Sequence, residues 1–413
     1  MTKHARLSAI PLAFALTCSA FAPMAPFVTA QSMPADPALQ PGLPALTQLP
    51  AAGRTEAPNT DSCPFAVTPA APVDTSEAVA PGQPSPAPLP RTAGATCGAE
   101  LPPGFTIPKE VLASAFVVSD LGTGEIVAQK DPHGRYRPAS IIKVLLATVV
   151  INELDPNKQI TVSDESANID GSKVGIGGGG VYTVDQLLHG LLMVSGNDAA
   201  HALAQALGGN EVTLKKINEL AASYGAKDTY AASYSGLDSP GMSTSAHDLA
   251  VIYTHAYNNK RFADLVHTKN YTFPGYPDHP PFEIANDNGL LINDPTAIGG
   301  KTGFTDDAHH TYVGAVDRNG HRKMAVLLDT TVDSGLRAWQ QAQLLLNEAY
   351  TTQGRIGKLE LNTAATSTPT PSTGDAANHP TPSVNSGPTA GLIVGAVVLA
   401  GAAATFIASR RKK

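Results

Sequence analysis

The chain has 413 residues, 28 basic against 35 acidic, for a formal net charge of −7. That balance leaves no basic patch for nucleic acid, and neither H-E-x-x-H nor clustered cysteines are present to hold a metal. With 42% hydrophobic and 15% charged residues, the chain can bury one large core or two ordinary ones.

Residues 1–30 read as a secretory signal. Lys3, His4 and Arg6 give a positive start, Leu7 to Ala22 is mostly apolar, and Val28-Thr29-Ala30 offers a small-residue cleavage site. A buried N-terminal helix is the alternative reading of the same run. Residues 31–107 form a leader rich in Pro and Ala. Fourteen of the 34 prolines fall in residues 31–90, a composition that buries little and predicts an extended spacer. Cys18 lies in the signal, which leaves Cys63 and Cys97. In an exported protein this even pair predicts a disulfide, whose closure would contribute about 3–4 kcal/mol; two free thiols are the alternative.

Residues 108–359 have the composition of a folded domain. Phe116 to Ser119 and Glu125 to Gln129 flank Leu121-Gly122-Thr123-Gly124, a hairpin by its turn chemistry. A helix is predicted from near Ser140. Its residues Ile141, Ile142, Val144, Leu145, Leu146, Val149, Val150 and Ile151 cover every side, so it is expected to be buried. Gly175 to Gly180 follows no clear strand and lacks G-K-S/T, so it reads as a flexible loop near the cleft mouth rather than a phosphate cradle. Thr183-Val184-Asp185-Gln186 is a capping box before LLHGLLMV. Asp198 to Leu207 and Glu211 to Tyr224 keep the helical period, with Gly208-Gly209 as a stop.

Asn286-Asp287-Asn288 reads as a structural loop, Ala297 to Phe304 as a strand, and Asp306-Asp307 as a turn or sheet-edge feature. Thr311 to Arg318 and Arg322 to Asp329 meet across Asn319-Gly320, a strong two-residue hairpin signal. His309-His310 are neighbours on a strand and face opposite ways, so they do not share an ion; no metal and no cofactor are expected. Asp333 to Tyr350, with the one tryptophan, Trp339, reads as a closing helix. Strands at both ends of the domain with helices between them predict an α+β fold: one antiparallel sheet built from the two ends, a helical lobe, and a cleft between.

Residues 360–389 form a Thr/Pro/Ser-rich linker. Residues 390–408 are a run of about nineteen uncharged residues, long enough for a transmembrane helix, followed by a basic tail at 409–413. Terminal Arg and Lys stay cytoplasmic, which predicts an exported body tethered by a single C-terminal span.

The helix near Ser140 poses a chemical question. Ser140 and Lys143 are three residues apart and so share a face at its N-terminal end. Capping accounts for the serine. It accounts poorly for a lysine that opposes the helix dipole inside an apolar helix. A serine nucleophile with a buried, neutral lysine as its base accounts for both. S-x-x-K alone does not decide between these readings.

Two later motifs do. Ser195-Gly196-Asn197 sits between two helices, and Lys301-Thr302-Gly303 lies on the predicted strand, followed by Phe304. S-x-x-K, S-G-N and K-T-G in this order are the motif set of penicillin-interacting serine enzymes. Around them DPHGRYRPASIIKVLLA, YTVDQLLHGLLMVSGNDAAHALA, SGLDSPGMSTSAHDLA and IGGKTGFTDDAHHTYVGAVDRNG resemble the low-molecular-mass serine D-alanyl-D-alanine carboxypeptidases, peptidase family S11, of mycobacterial type. The likeness runs from about Ser114 to Tyr350.

That resemblance implies a penicillin-binding-protein/β-lactamase-like fold, and a substrate that is a peptidoglycan stem peptide ending in D-Ala-D-Ala. It implies that Ser140 attacks the carbonyl between the two D-alanines, that Lys143 takes its proton, and that Ser195 relays a proton to the leaving amine. Asn197, Lys301, Thr302, Gly303 and Phe304 would bind substrate: Asn197 holding the peptide and Lys143, Lys301 and Thr302 the terminal carboxylate. The backbone N–H groups of Ser140 and Phe304 would form the oxyanion hole. Penicillins would acylate Ser140. A D,D-endopeptidase or transpeptidase would use the same machinery, and a non-catalytic wall-binding protein is the reading from another class. Gram-negative relatives carry a second, β-rich domain where only about thirty low-complexity residues stand here, so a flexible tether is expected. No E-x-x-L-N stretch lies between Asn197 and Lys301, so efficient β-lactam hydrolysis is not expected.

Overall fold

Asn319 and Gly320 both take positive φ, 57° and 83°, the mirror-image turn whose twist matches that of two paired strands. This turn closes the longest hairpin of a computed structural model that describes residues 53–362. The first elements are β1 (Ala99–Glu100), β2 (Ala115–Asp120), β3 (Glu125–Lys130) and a 3-10 turn (Ala139–Ile142) that runs into α1 (Lys143–Glu153). The helical lobe follows: β4 (Gln159–Thr161), α2 (Asp164–Asn168), β5 (Val181–Thr183), α3 (Val184–Met193), α4 (Asn197–Ala206), α5 (Asn210–Ser223), α6 (Ala246–Tyr257) and α7 (Lys260–His267). After it come β6 (Asn270–Phe273), β7 (Phe282–Ala285), α8 (Gly289–Asn293), β8 (Ala297–Thr305), β9 (His309–Arg318), β10 (His321–Thr330), α9 (Ala338–Thr351) and β11 (Gly357–Lys358).

The main sheet has the order β1-β3-β2-β10-β9-β8, with β11 also paired to β3 and every pairing antiparallel. It is the expected α+β arrangement, with the two ends of the domain meeting where β2 pairs β10. Side chains alternate across it as the pleat requires. Ala115 and Val117 of β2, with Met324, Val326 and Leu328 of β10, face the core shared with α1, α3, α4 and α6. Phe116, Val118, Ala325 and Leu327 face the second core, under α9. With both faces buried, β8 ends the sheet on one side, beside the start of α1. Every residue of α1 from Lys143 to Val150 is buried, as its all-round apolar sequence predicts. The capping box at Thr183 and Gln186 forms as expected.

Three expectations need correction. The closing helix starts at Ala338, not Asp333; Gly335, at φ 82°, turns the chain first. Gln341 then ties that turn down, accepting from Leu112 N and Thr330 Oγ1 and donating to Thr331 O and Leu336 O. Gly175 to Gly180 is not a free loop, because the Asp198 carboxylate accepts the amides of Val174, Gly175 and Ile176 at 2.9, 2.9 and 3.3 Å.

The third correction concerns the leader. Its described part lies on the domain rather than extending from it. Arg54 donates to Leu112 O and Asp329 O at 3.1 and 2.7 Å, Arg135 donates to Pro90 O at 2.7 Å, and Thr92 Oγ1 donates to Asp228 at 2.6 Å. Phe65 packs edge-on to Tyr136, ring centroids 5.2 Å apart. Cys63 and Cys97 are disulfide-bonded, their Cα atoms 5.3 Å apart. Composition misled because proline has little backbone freedom to lose, so a few side-chain anchors hold such a segment in place. The segments expected to be a signal and a transmembrane helix, and all but the first residues of the expected linker, lie outside the described residues. Among the described residues no helix is long and apolar enough to cross a membrane.

Candidate active site

Ser140 does not cap the helix. It sits in the 3-10 turn before α1, and that turn has no side-chain cap. The preceding residue, Ala139, is held at φ 48°, unusual for a residue with a Cβ. Three neighbours fix it there. Thr311 Oγ1 donates to Pro138 O at 2.7 Å. A Cβ on Gly236, itself at φ 87°, would lie 2.0 Å from Ala139 O. A Cβ on Gly303 would lie 3.0 Å from Ser140 N. Only glycine lets the loop after α5 and strand β8 approach the nucleophile segment this closely.

Lys143 is fully buried. Its Nζ lies 2.6 Å from Ser235 O, 2.8 Å from Asn197 Oδ1, 2.7 Å from Ser140 Oγ and 3.4 Å from Ser195 Oγ. The Asn197 amide is oriented by its other end, where Nδ2 donates to Asp170 O at 2.7 Å. Ser235 O and Asn197 Oδ1 can only accept. A neutral amine has two hydrogens, so these acceptors use both, and its lone pair is left facing the serine hydroxyls. Burial, and then the nearby positive charge of Lys301, hold the Lys143 pKa well below the usual lysine range, against the opposing pull of Asp287 and Asp198. Ser195 takes φ 61° at the tip between α3 and α4. Strained, non-glycine backbone therefore occurs on both sides of the lysine.

The opposite wall is β8. Lys301 is buried and donates to Thr302 O at 3.0 Å, with the Asp287 carboxylate 3.9 Å away. Burial lowers the Lys301 pKa too, against Asp287. Thr302 Oγ1 donates to Asp287 Oδ2 at 2.7 Å. Phe304 is 55% exposed, beside His310.

Between these walls lies a cleft of about 640 Å³. Ser140, Ser195, Thr302, Gly303 and Phe304 line it, while Lys143, Asn197 and Lys301 lie buried around it. All the residues expected from the motifs thus meet at one place. Three further groups do so as well. Asp287, expected in a merely structural loop, lines the cleft and holds Thr302. Arg337 lines it from the turn before α9. Ser235 supplies the carbonyl that receives Lys143. S-G at 235–236, before a long coil, was the available sequence signal for the last; the other two had none.

A family model described as D-alanyl-D-alanine carboxypeptidase matches residues 103–332. The D-alanyl-D-alanine carboxypeptidase DacB2 of Mycobacterium tuberculosis is 40% identical over 267 residues, 63% of this chain and 91% of that protein. DacF of Bacillus subtilis, also a D-alanyl-D-alanine carboxypeptidase, is 28% identical over 221 residues, 52% of this chain and 57% of its own length. Among solved structures, the D-alanyl-D-alanine carboxypeptidase of M. tuberculosis H37Rv superposes with a TM-score of 0.60 at 40% identity, over 63% of this chain and all of that one. The Streptomyces K15 DD-transpeptidase does so with a TM-score of 0.56 at 27% identity, over 60% and 100%.

Proposed function

This chain belongs to the D-alanyl-D-alanine carboxypeptidase family, and we propose that it removes the terminal D-alanine from peptidoglycan stem peptides through an acyl-Ser140 intermediate. The observation that carries this reading is the position of the Lys143 amine, 2.6 and 2.8 Å from two groups that only accept, Ser235 O and Asn197 Oδ1, and 2.7 Å from Ser140 Oγ, so that a neutral amine there turns its lone pair to the serine.

In the first step Ser140 Oγ bonds to the carbonyl carbon of the D-Ala-D-Ala link and its proton passes to Lys143. The oxyanion lies between the backbone N–H groups of Ser140 and Phe304. The C–N bond then breaks, and the departing amine takes a proton by way of Ser195. Lys143, neutral again, deprotonates the water that releases the acyl group. Lys301, Thr302 and Arg337 attract the terminal carboxylate, which explains a preference for a free C-terminus. Asp287 keeps Thr302 oriented and offsets part of the positive charge. The donor peptide runs along the free edge of β8.

The same proposal places the body outside the cytoplasmic membrane, held by residues 390–408. Its support is that uncharged run before Arg410-Arg411-Lys412-Lys413, and the disulfide in the leader. Fractionation of cells with antibody against the leader checks it: material in the cytosol would overturn the anchor.

Purified protein incubated with diacetyl-Lys-D-Ala-D-Ala should release D-alanine and form a one-to-one covalent adduct with a fluorescent penicillin. No adduct would overturn the enzyme reading. Cleavage of cross-linked muropeptides in preference to pentapeptides would replace carboxypeptidase with endopeptidase activity.

A further inference from the structure

We propose that residues 73–77 of the leader clamp the two walls of the cleft together, and that Glu77 is a positioning residue for Ser140. The proposal rests on the acyl-Ser140 reading and adds to it a part of the chain outside the three motifs.

Five consecutive residues reach from one wall to the other. On the sheet side, Val73 N donates to Asp307 Oδ1 at 2.5 Å and Ser76 Oγ donates to Asp307 Oδ2 at 2.9 Å. Asp307 lies in the turn that ends β8, the strand carrying Thr302 and Phe304. On the other side, Glu77 accepts from Arg137 Nε. Arg137 stands three residues before Ser140, and its side chain is 3% exposed. The disulfide between Cys63 and Cys97 joins the two ends of the loop that carries the stretch, and beside those ends Arg135 N donates to Phe65 O and Asp131 N to Gly98 O, both at 2.7 Å.

Arg137 links more than the leader. Asp307 and Asp238 lie close enough to reinforce its charge alongside Glu77. Asp238 follows Ser235, whose carbonyl receives the Lys143 amine, by three residues. One buried guanidinium is therefore linked by charge to the Ser235 loop and the end of β8, and the carboxylate hydrogen-bonded to it comes from the leader. Without Glu77 the buried cation lacks that partner and must shift toward solvent or another acid. The shift would be passed to Pro138, Ala139 and Ser140, where Ala139 already sits in a sparsely populated conformation. A displacement of about 1 Å at a nucleophile is enough to cost up to about 10² in rate.

The test uses the full chain, with fluorescent-penicillin acylation resolved into binding (Kd) and the acylation rate constant, and thermal melting measured alongside. Glu77→Gln should lower the rate constant by about tenfold while Kd stays near wild type, and Glu77→Asp should recover most of the loss. Folded Glu77→Gln that acylates at the wild-type rate, or a loss confined to Kd, or no recovery with Asp, would overturn the clamp. If Glu77→Gln does not fold, Asp307→Asn serves instead, because it weakens the sheet side and leaves the Arg137 pair. It should show a smaller loss in the same rate constant, and a wild-type rate would again overturn the proposal. Wild-type protein that takes no penicillin defeats the acyl-Ser140 reading itself. An acylating wild type beside an unaffected Glu77→Gln defeats the clamp alone.

Discussion

Gly303 and Ser140 belong to opposite walls of the cleft, yet a methyl group on Gly303 would stand 3.0 Å from the Ser140 backbone nitrogen and 2.3 Å from Thr311 Oγ1. Strand β8 and the nucleophile turn are in near contact, and Thr311 is at the same time the residue that holds Pro138. Gly303→Ala must push the strand, the turn or both apart. We expect a stability loss of about 1–3 kcal/mol and a fall in penicillin acylation of about 10². Urea unfolding and stopped-flow acylation check the two figures separately.

The base is expected to account for the largest single loss. Lys143→Ala should lower acylation by about 10² to 10⁴ although Ser140 is intact. Lys143→Arg should be no better, because a guanidinium does not give up its proton. Adduct formation followed by intact-protein mass spectrometry decides this, and unimpaired acylation in Lys143→Ala would remove the lysine from the mechanism.

The pH dependence has a definite sign. Acylation needs neutral Lys143, so its rate rises with pH and levels off above the lowered lysine pKa. Lys301→Gln deletes a like charge, raises the Lys143 pKa and moves this rise to higher pH. Asp287→Asn deletes an anion that favours the ammonium and moves it to lower pH. Stability carries the same sign. Between the folded pKa and the ordinary lysine value the unfolded chain holds more protons, so this lysine makes stability rise with pH over that window. Lys143→Met should flatten the rise, as read from melting curves across neutral to alkaline buffers.

Arg337 is expected to act on substrate rather than on the base. Arg337→Leu should raise KM for diacetyl-Lys-D-Ala-D-Ala about 10- to 100-fold, the worth of a hydrogen bond to a charged group, and leave the C-terminal amide of that peptide nearly unaffected. Equal effects on acid and amide would separate Arg337 from carboxylate recognition.

Cys63→Ser should lower stability by about 3–4 kcal/mol through the loop it opens. Because that loop carries residues 73–77, acylation should slow in the same variant even below its melting temperature. Loss of stability with an unchanged rate would separate the covalent link from the clamp.

The sheet was legible because its evidence is local: Asn319-Gly320 dictates a turn, alternating residues dictate faces, and β2 and β10 had to meet once both ends read as strands. The catalytic groups were legible because side-chain identity and motif order mark Ser140, Lys143, Ser195, Asn197 and Lys301. Ser235 contributes a backbone carbonyl, which any residue would supply, so only the glycine after it, packed against Ala139 O, marks the place in the sequence. Asp287 and Arg337 owe their places to the packing of α8 and α9 against the sheet, a long-range matter that no local spacing reports. The leader was misjudged from composition, since a handful of anchors such as Arg54, Thr92 and Glu77 is invisible in a proline count.

The crowding around the Lys143 amine also sets an order of traffic. With Asn197 and Ser235 filling two directions, attacking water has to come in through the space that the departing amine has vacated. Hydrolysis therefore waits on exit. A ligand whose leaving group stays covalently attached after ring opening keeps its own exit blocked, and the ester it forms on Ser140 should outlast the one left by a peptide.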